Sequence, residues 1–235
     1  MTMITQNAPG NFIHRNLANA ASILGVLPLV FLFLDNGFQY VIPLIIFNNF
    51  MDDLDGFLAR KLNTRSRFGA DLDNVCDAVA HIGLALAVGA HFGNFVIAAS
   101  AIAAGSILVR IVGRLNPKGI GGTGSPTNEL MRHMLFVLLL AGQFDFSPEY
   151  ALIAVFLIHA ISMVIPYPMP HPIIDGANSG LTLGLVNLAL LAAWLVPILT
   201  PVVSAAFLLA YLYGLMAGLG GSVWWGRTQA AKSTP

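Results

Sequence analysis

The sequence predicts an all-α integral membrane protein, a polytopic bundle of about eight helices with six as the alternative count, and three features lead there. Of 235 residues, 57% are hydrophobic and only 9% are charged, whereas soluble domains carry about 25% charged residues. Mean hydropathy is +0.77. The apolar residues also fall into helix-length stretches, and a helix needs about 20 mostly apolar residues to cross a hydrocarbon core.

Taken in order, the stretches cover 16–34, 38–59, 71–92 and 94–113, then 129–144, 149–166, 179–199 and 201–223. The breaks between them have the composition of turns: Asp35-Asn36-Gly37, a basic run from Arg60 to Arg67, a Gly/Pro-rich segment from Asn116 to Pro126, and a Pro-rich one from Pro166 to Pro172. No repeat is visible, so residues 1–235 read as a single membrane-embedded domain. Met1–Gly10 has neither the basic start nor the cleavage pattern of a signal peptide. Cys76 is the only cysteine, which excludes an internal disulfide or a multi-cysteine metal site. A net charge of zero gives no reason to expect a nucleic-acid partner.

The basic residues set the orientation. With the N-terminus inside, eight spans place all 11 Lys and Arg on or near the cytoplasmic side, and the outer loops hold none. Arg15, Arg227 and Lys232 read as simple headgroup anchors. The expected location is a bacterial or archaeal cytoplasmic membrane with the functional face towards the cytoplasm.

Six of the 11 acidic residues, Asp52, Asp53, Asp55, Asp71, Asp73 and Asp77, lie within 26 positions around the second and third spans. An Asp near a membrane helix centre costs about 2.5–3.5 kcal/mol, and several together repel unless a cation joins them. Asp52 and Asp55 are three apart, and Asp73 and Asp77 four apart. Each pair therefore shares a helix face, and the short basic turn returns the two helices side by side. Asp53 and Asp71 point off those faces and read as supporting or solvated residues. Oxygen ligands without His or Cys favour Mg²⁺, Mn²⁺ or Ca²⁺ over zinc, and point to phosphate chemistry. Gly56 and Gly69 leave room for a ligand to approach the backbone.

Together these residues spell Asp52-x2-Asp55-Gly56-x2-Ala59-Arg60-x8-Gly69-x3-Asp73-x3-Asp77. This resembles the signature of the CDP-alcohol phosphotransferase family at all eight fixed positions. The resemblance implies a CDP-diacylglycerol or related CDP-alcohol donor, a small alcohol acceptor, release of CMP, and Mg²⁺ or Mn²⁺ as cofactor. It implies metal binding by Asp52, Asp55, Asp73 and Asp77, with Asp77 also the base that activates the acceptor hydroxyl. Gly56, Ala59, Arg60 and Gly69 are implied to line the donor pocket, and a homodimer in the bilayer is compatible with the family.

On the acceptor side, Arg110 and Arg114 lie one turn apart, followed by Lys118, with Arg132 opening the next span. Guanidinium groups suit a carboxylate or phosphate, and the alternative for these residues is simple anchoring to anionic lipid headgroups. The segment Arg110-x3-Arg114-x-Asn116 and the count of eight spans look similar to phosphatidylserine synthases, which implies L-serine as acceptor. Glycerol 3-phosphate and inositol phosphate are the alternatives within the family. From another class, a cation-coupled transporter would also contain buried carboxylates, but its site would sit near the bilayer midplane rather than beside a surface turn. His81 reads as a polar residue between helices rather than one that reaches the site, and Ser125, Thr127 and Asn128 read as caps for the fifth span, with contact to the nucleotide as the alternative.

Overall fold

The computed structural model of the protein describes residues 12–116, 124–165, 169 and 180–232. Among them are eight α-helices: α1 (Phe12–Val26), α2 (Val41–Lys61), α3 (Arg67–Phe92), α4 (Asn94–Leu115), α5 (Thr127–Phe144), α6 (Glu149–Val164), α7 (Gly180–Leu195) and α8 (Thr200–Lys232). Each follows one of the eight apolar stretches. The boundaries move for local reasons. The first stretch leaves α geometry at Val26 and continues to Phe33 as a 3₁₀ helix, with Pro28 in its first turn. The third begins earlier than expected, at Arg67, because Ser66 caps it: the Ser66 hydroxyl accepts from Gly69 N–H at 3.0 Å.

Four helical stretches, Asn16–Phe33, Arg67–Phe92, Asn94–Leu115 and Pro197–Gly220, are long and apolar enough to cross a membrane. Glu149–Val164 and Gly180–Leu195 are apolar but shorter. Helices α2 and α5 are long enough, yet they carry Asp52, Asp53 and Asp55 or Glu129 and Arg132. The fold is that of an all-α polytopic membrane protein. Phe33, Phe95, Leu108, Val112, Ile161 and Leu209 face outward, as side chains in contact with hydrocarbon can do without cost.

Helix α1 lies across α2 and α3, α3 packs along α4, and α4 packs in turn on α6. Helices α5 and α7 flank α2, and α8 closes over α5 and α7. Ile45, Leu84, Ile107, Leu130, Leu135, Leu152, Phe156 and Leu190 are fully buried where these helices meet. At the turn between α2 and α3, Asn63 takes a left-handed conformation at φ 52°. Thr64 N–H then donates to Ala59 O at 3.1 Å, and Asn63 N–H to Arg60 O at 3.3 Å. That pair of bonds is the Schellman arrangement, which stops α2 cleanly and brings α3 back beside it.

Gly89 marks the closest approach of α3 to α4. A Cβ there would collide with the Ser100 side chain and come within 3.0 Å of the Ile97 backbone. Gly89→Val is therefore expected to destabilise the bundle by about 1–3 kcal/mol, seen as a lower thermal midpoint in detergent. An unchanged midpoint would mean that α3 and α4 are not clamped at this point.

Candidate functional site

The turn between α2 and α3 sets Asp52 and Asp55 against Asp73 and Asp77. Asp52, Asp55 and Asp73 each present one carboxylate oxygen within 4.8 Å of the others. Asp77, one turn further along α3, lies outside this trio but is in hydrogen-bonding contact with Asp52, and Asp55 is in the same contact with Asp73. Carboxylates so close need a shared proton or a cation between them. The donor set is all oxygen, with no His or Cys among the trio, and so fits a hard divalent cation.

Neutral side chains hold these carboxylates in place. Ser22 of α1 donates from Oγ to Asp55 Oδ2 at 2.5 Å. Asn128 of α5 donates from Nδ2 to Asp52 Oδ2 at 2.6 Å. Asn187 of α7 donates to Asp53 Oδ2 at 2.6 Å, and Asn49 donates to the same oxygen at 3.4 Å. Asn49 is itself tied to Asn187 Oδ1 at 3.0 Å and accepts from Arg132 Nε at 3.0 Å. Arg132 is 2% exposed and ion-paired through Nη1 with Glu129 at 2.9 Å. Between α2 and α3, buried His81 pairs through Nε2 with Asn48 Oδ1 at 3.0 Å.

Two cavities open on either side of the carboxylates and share Asp73. The first, about 300 Å³, is lined by Asp55, Gly56, Ala59, Arg60, Gly69 and Asp73, with Asn19 and Ser22 from α1 and Thr64, Arg65 and Ser66 from the turn. At Gly69 the backbone itself forms part of the wall, and a Cβ there would lie 3.1 Å from Asn19 Oδ1 and 3.2 Å from Ser66 Oγ, so that these side chains would have to give by a few tenths of an ångström. The second, about 270 Å³, is lined by Asp52, Asp53, Asp73, Asp77, Arg114, Thr127, Asn128 and Arg132. Arg114 reaches it from the end of α4, steadied by a 2.9 Å bond to Asn74 Oδ1.

The family model for CDP-alcohol phosphatidyltransferases matches residues 15–167. The chain belongs to that family. Its similar relatives include a CDP-diacylglycerol–serine O-phosphatidyltransferase of Helicobacter pylori, 34% identical over 99 residues, 39% of this chain and 40% of that protein. A protein of the same name from Methanocaldococcus jannaschii is 32% identical over 121 residues, 49% of this chain and 57% of that protein. The chain thus spans 40% and 57% of the length of these two relatives.

Within this family member, the residues named from the sequence divide between the two cavities. Gly56, Ala59, Arg60 and Gly69 meet in the first, and Asp77, Arg114 and Arg132 in the second. Arg110 shares a face of α4 with Arg114 but sits a turn deeper, is buried, and lines neither cavity. Lys118 lies outside the described residues. Asp71 is a solvated partner of Arg67 at 3.6 Å. The capping expectation for Ser125, Thr127 and Asn128 is corrected. Helix α5 starts after Pro126 with no side-chain cap, Ser125 instead bonds Ser162 at 2.6 Å, and Asn128 turns to Asp52.

Ser22, Asn49, Asn187 and Glu129 were not read as site residues from the sequence. Their only signal was that they are polar residues inside or beside apolar stretches, where a buried polar group needs a partner. Removing the hydroxyl that orients Asp55 should weaken cation binding. Ser22→Ala is expected to lower Mn²⁺ affinity at least about tenfold, measured by electron paramagnetic resonance titration; an affinity equal to that of the unaltered protein would sever Asp55 from the cation.

Proposed function

We propose that the chain transfers a phosphatidyl group from CDP-diacylglycerol, or a related CDP-alcohol, to the hydroxyl of a small acceptor and releases CMP, with L-serine as the acceptor. The observation that carries this reading is the placement of the aspartates between two cavities, one lined by the glycines of the family signature and the other by two arginines. The names of the relatives from Helicobacter pylori and Methanocaldococcus jannaschii support serine.

In this reading the cytidine diphosphate enters the first cavity, where Gly56, Ala59 and Gly69 leave the backbone approachable and Arg60 offers a cationic fork. Asp52, Asp55 and Asp73 would hold the divalent ion, Mg²⁺ or Mn²⁺, which when bound offsets the negative charge of the pyrophosphate and of the departing CMP. The acceptor occupies the second cavity. Its hydroxyl oxygen forms a bond to the lipid-bearing phosphorus while the bond from that phosphorus to the oxygen of CMP breaks. CMP leaves with that oxygen and the electron pair, and the hydroxyl proton passes to Asp77. Asp77 suits this role because it lines only the acceptor side, while its contact with Asp52 keeps it oriented. The basic residues around the turn support a site facing the cytoplasm, in a bacterial or archaeal cytoplasmic membrane.

Purified protein in detergent with Mg²⁺ or Mn²⁺ is expected to release CMP from CDP-diacylglycerol when serine is added, and less with glycerol 3-phosphate, inositol phosphate or inositol. No release with any acceptor would overturn the reading. Asp77→Asn should lose about 10²- to 10⁴-fold in kcat and still bind the CDP-lipid; unchanged turnover would remove Asp77 as the base. Gly69→Val should abolish CMP binding by filling the space between Asn19 and Ser66. Calorimetric titration with CMP checks this, and retained affinity would place the nucleotide elsewhere.

A further inference from the structure

Asp53 is the one carboxylate of the second cavity that belongs neither to the family signature nor to the trio of converging oxygens. It is held differently from the rest. Its Oδ2 is anchored by Asn187 and Asn49, and its Oδ1 has no partner among the described residues. Asn187 comes from α7, beyond the matched residues 15–167, so this anchor is a feature of the chain outside the match. Two neutral amides fix the orientation of this carboxylate without an ion pair and leave Oδ1 open to a cationic group.

The rest of the cavity wall offers complementary groups. Arg132 is almost wholly buried and uses Nε and Nη1 on Asn49 and Glu129, while its Nη2 has no partner among the described residues. Arg114 adds a second guanidinium. Asn128 gives its amide nitrogen to Asp52, and its Oδ1 is buried without a partner. The cavity therefore holds unfilled donors suited to a carboxylate and unfilled acceptors suited to an ammonium. Glu129 already balances the charge of Arg132. Among the described residues of the cavity wall a phosphate dianion would find Arg114 as the one cation without a carboxylate partner and would face Asp53, whereas a zwitterion satisfies both ends.

We propose that Asp53 is the specificity-determining residue that takes the ammonium of the acceptor, so that this cavity selects a zwitterionic hydroxy amino acid whose carboxylate lies on Arg132 and Arg114. This rests on the phosphatidyl-transfer reading above and deepens it. Asn187 and Asn49 act through Asp53 as positioning residues, and Asn128 Oδ1 is the second acceptor for the ammonium.

The test compares L-serine with 3-hydroxypropionate, the same molecule without its ammonium, in CMP release by the full-length protein with CDP-diacylglycerol. The unaltered protein should favour serine. Asp53→Asn retains an oxygen for Asn187 but removes the charge, and its KM for serine should rise about 10- to 100-fold. KM for 3-hydroxypropionate should stay within about twofold, so that the preference collapses, and CMP binding to the first cavity reports that the variant is folded. If Asp53→Asn slows both acceptors equally and keeps the preference, Asp53 is structural and the proposal is overturned. A preference for glycerol 3-phosphate or inositol phosphate would overturn it while leaving phosphatidyl transfer intact. Should no acceptor support CMP release, the transfer reading falls, and equilibrium dialysis with radiolabelled L-serine decides this inference separately. Binding lost in Asp53→Asn supports it, and equal binding overturns it.

Discussion

Like charge crowded into a low-dielectric bundle is the constraint from which the rest of this structure follows. Asp52, Asp55, Asp73 and Asp77 touch in pairs across α2 and α3, an arrangement that repels itself in the absence of a cation or a proton. The crossing of the two helices must therefore be enforced from elsewhere. The Schellman turn at Asn63 and the Ser66 cap fix the reversal. The cores of Ile45 and Leu84, and then of Ile107 and Leu152 behind them, press the helices together. Packing of this kind is close and non-directional, so it can hold an unfavourable electrostatic contact that hydrogen bonds alone would release.

The same crossing explains why there are two cavities rather than one. Where α2 and α3 converge on Asp73 they form a partition, with α1 walling one side and α5 and α7 the other. Side chains at the partition face both ways, and those a turn away face only one. In the proposed reaction this separates the leaving group from the attacking hydroxyl, which an in-line displacement at phosphorus requires. Glycine on the first side and arginine on the second fit the same division, one side admitting a bulky nucleotide against the backbone and the other a small charged acceptor.

The sequence exposed whatever is periodic or clustered and concealed whatever is solitary. Eight apolar stretches anticipated eight helices, because burying or lipid-exposing a helix needs a run of residues that any window detects. The aspartates were visible because their spacing puts them on one face and because a cluster of carboxylates in an apolar chain is costly unless a cation joins it. Helix ends were less legible, since Pro28 and Ser66 act through single bonds. Asn187 and Asp53 are 134 positions apart, and no local pattern in α7 marks Asn187 as a partner. Ser22 and Asn49 were likewise single polar side chains whose meaning depends on which helix crosses them. Arg110 and Arg114 share a face of α4 as their spacing requires, yet of the two Arg114 lines the second cavity, because a turn of helix carries Arg110 towards the bundle interior.

The choice of partners for the carboxylates is informative in its own right. A lysine or arginine in direct contact with Asp52 or Asp55 would satisfy each and stabilise the fold, but it would also consume the charge that a divalent ion needs. The structure instead supplies Ser22, Asn128, Asn49 and Asn187, which orient a carboxylate while leaving its charge intact. The buried guanidinium of Arg132, which lines the second cavity, is balanced locally by Glu129 one turn before it. Its charge still acts on Asp52 and Asp53, but it does so from behind Asn49 rather than as a direct ion pair. Neutral donors at the carboxylates and a pre-neutralised arginine behind them orient the carboxylates rigidly and leave them open to a cation, a combination that a network of direct salt bridges would not provide.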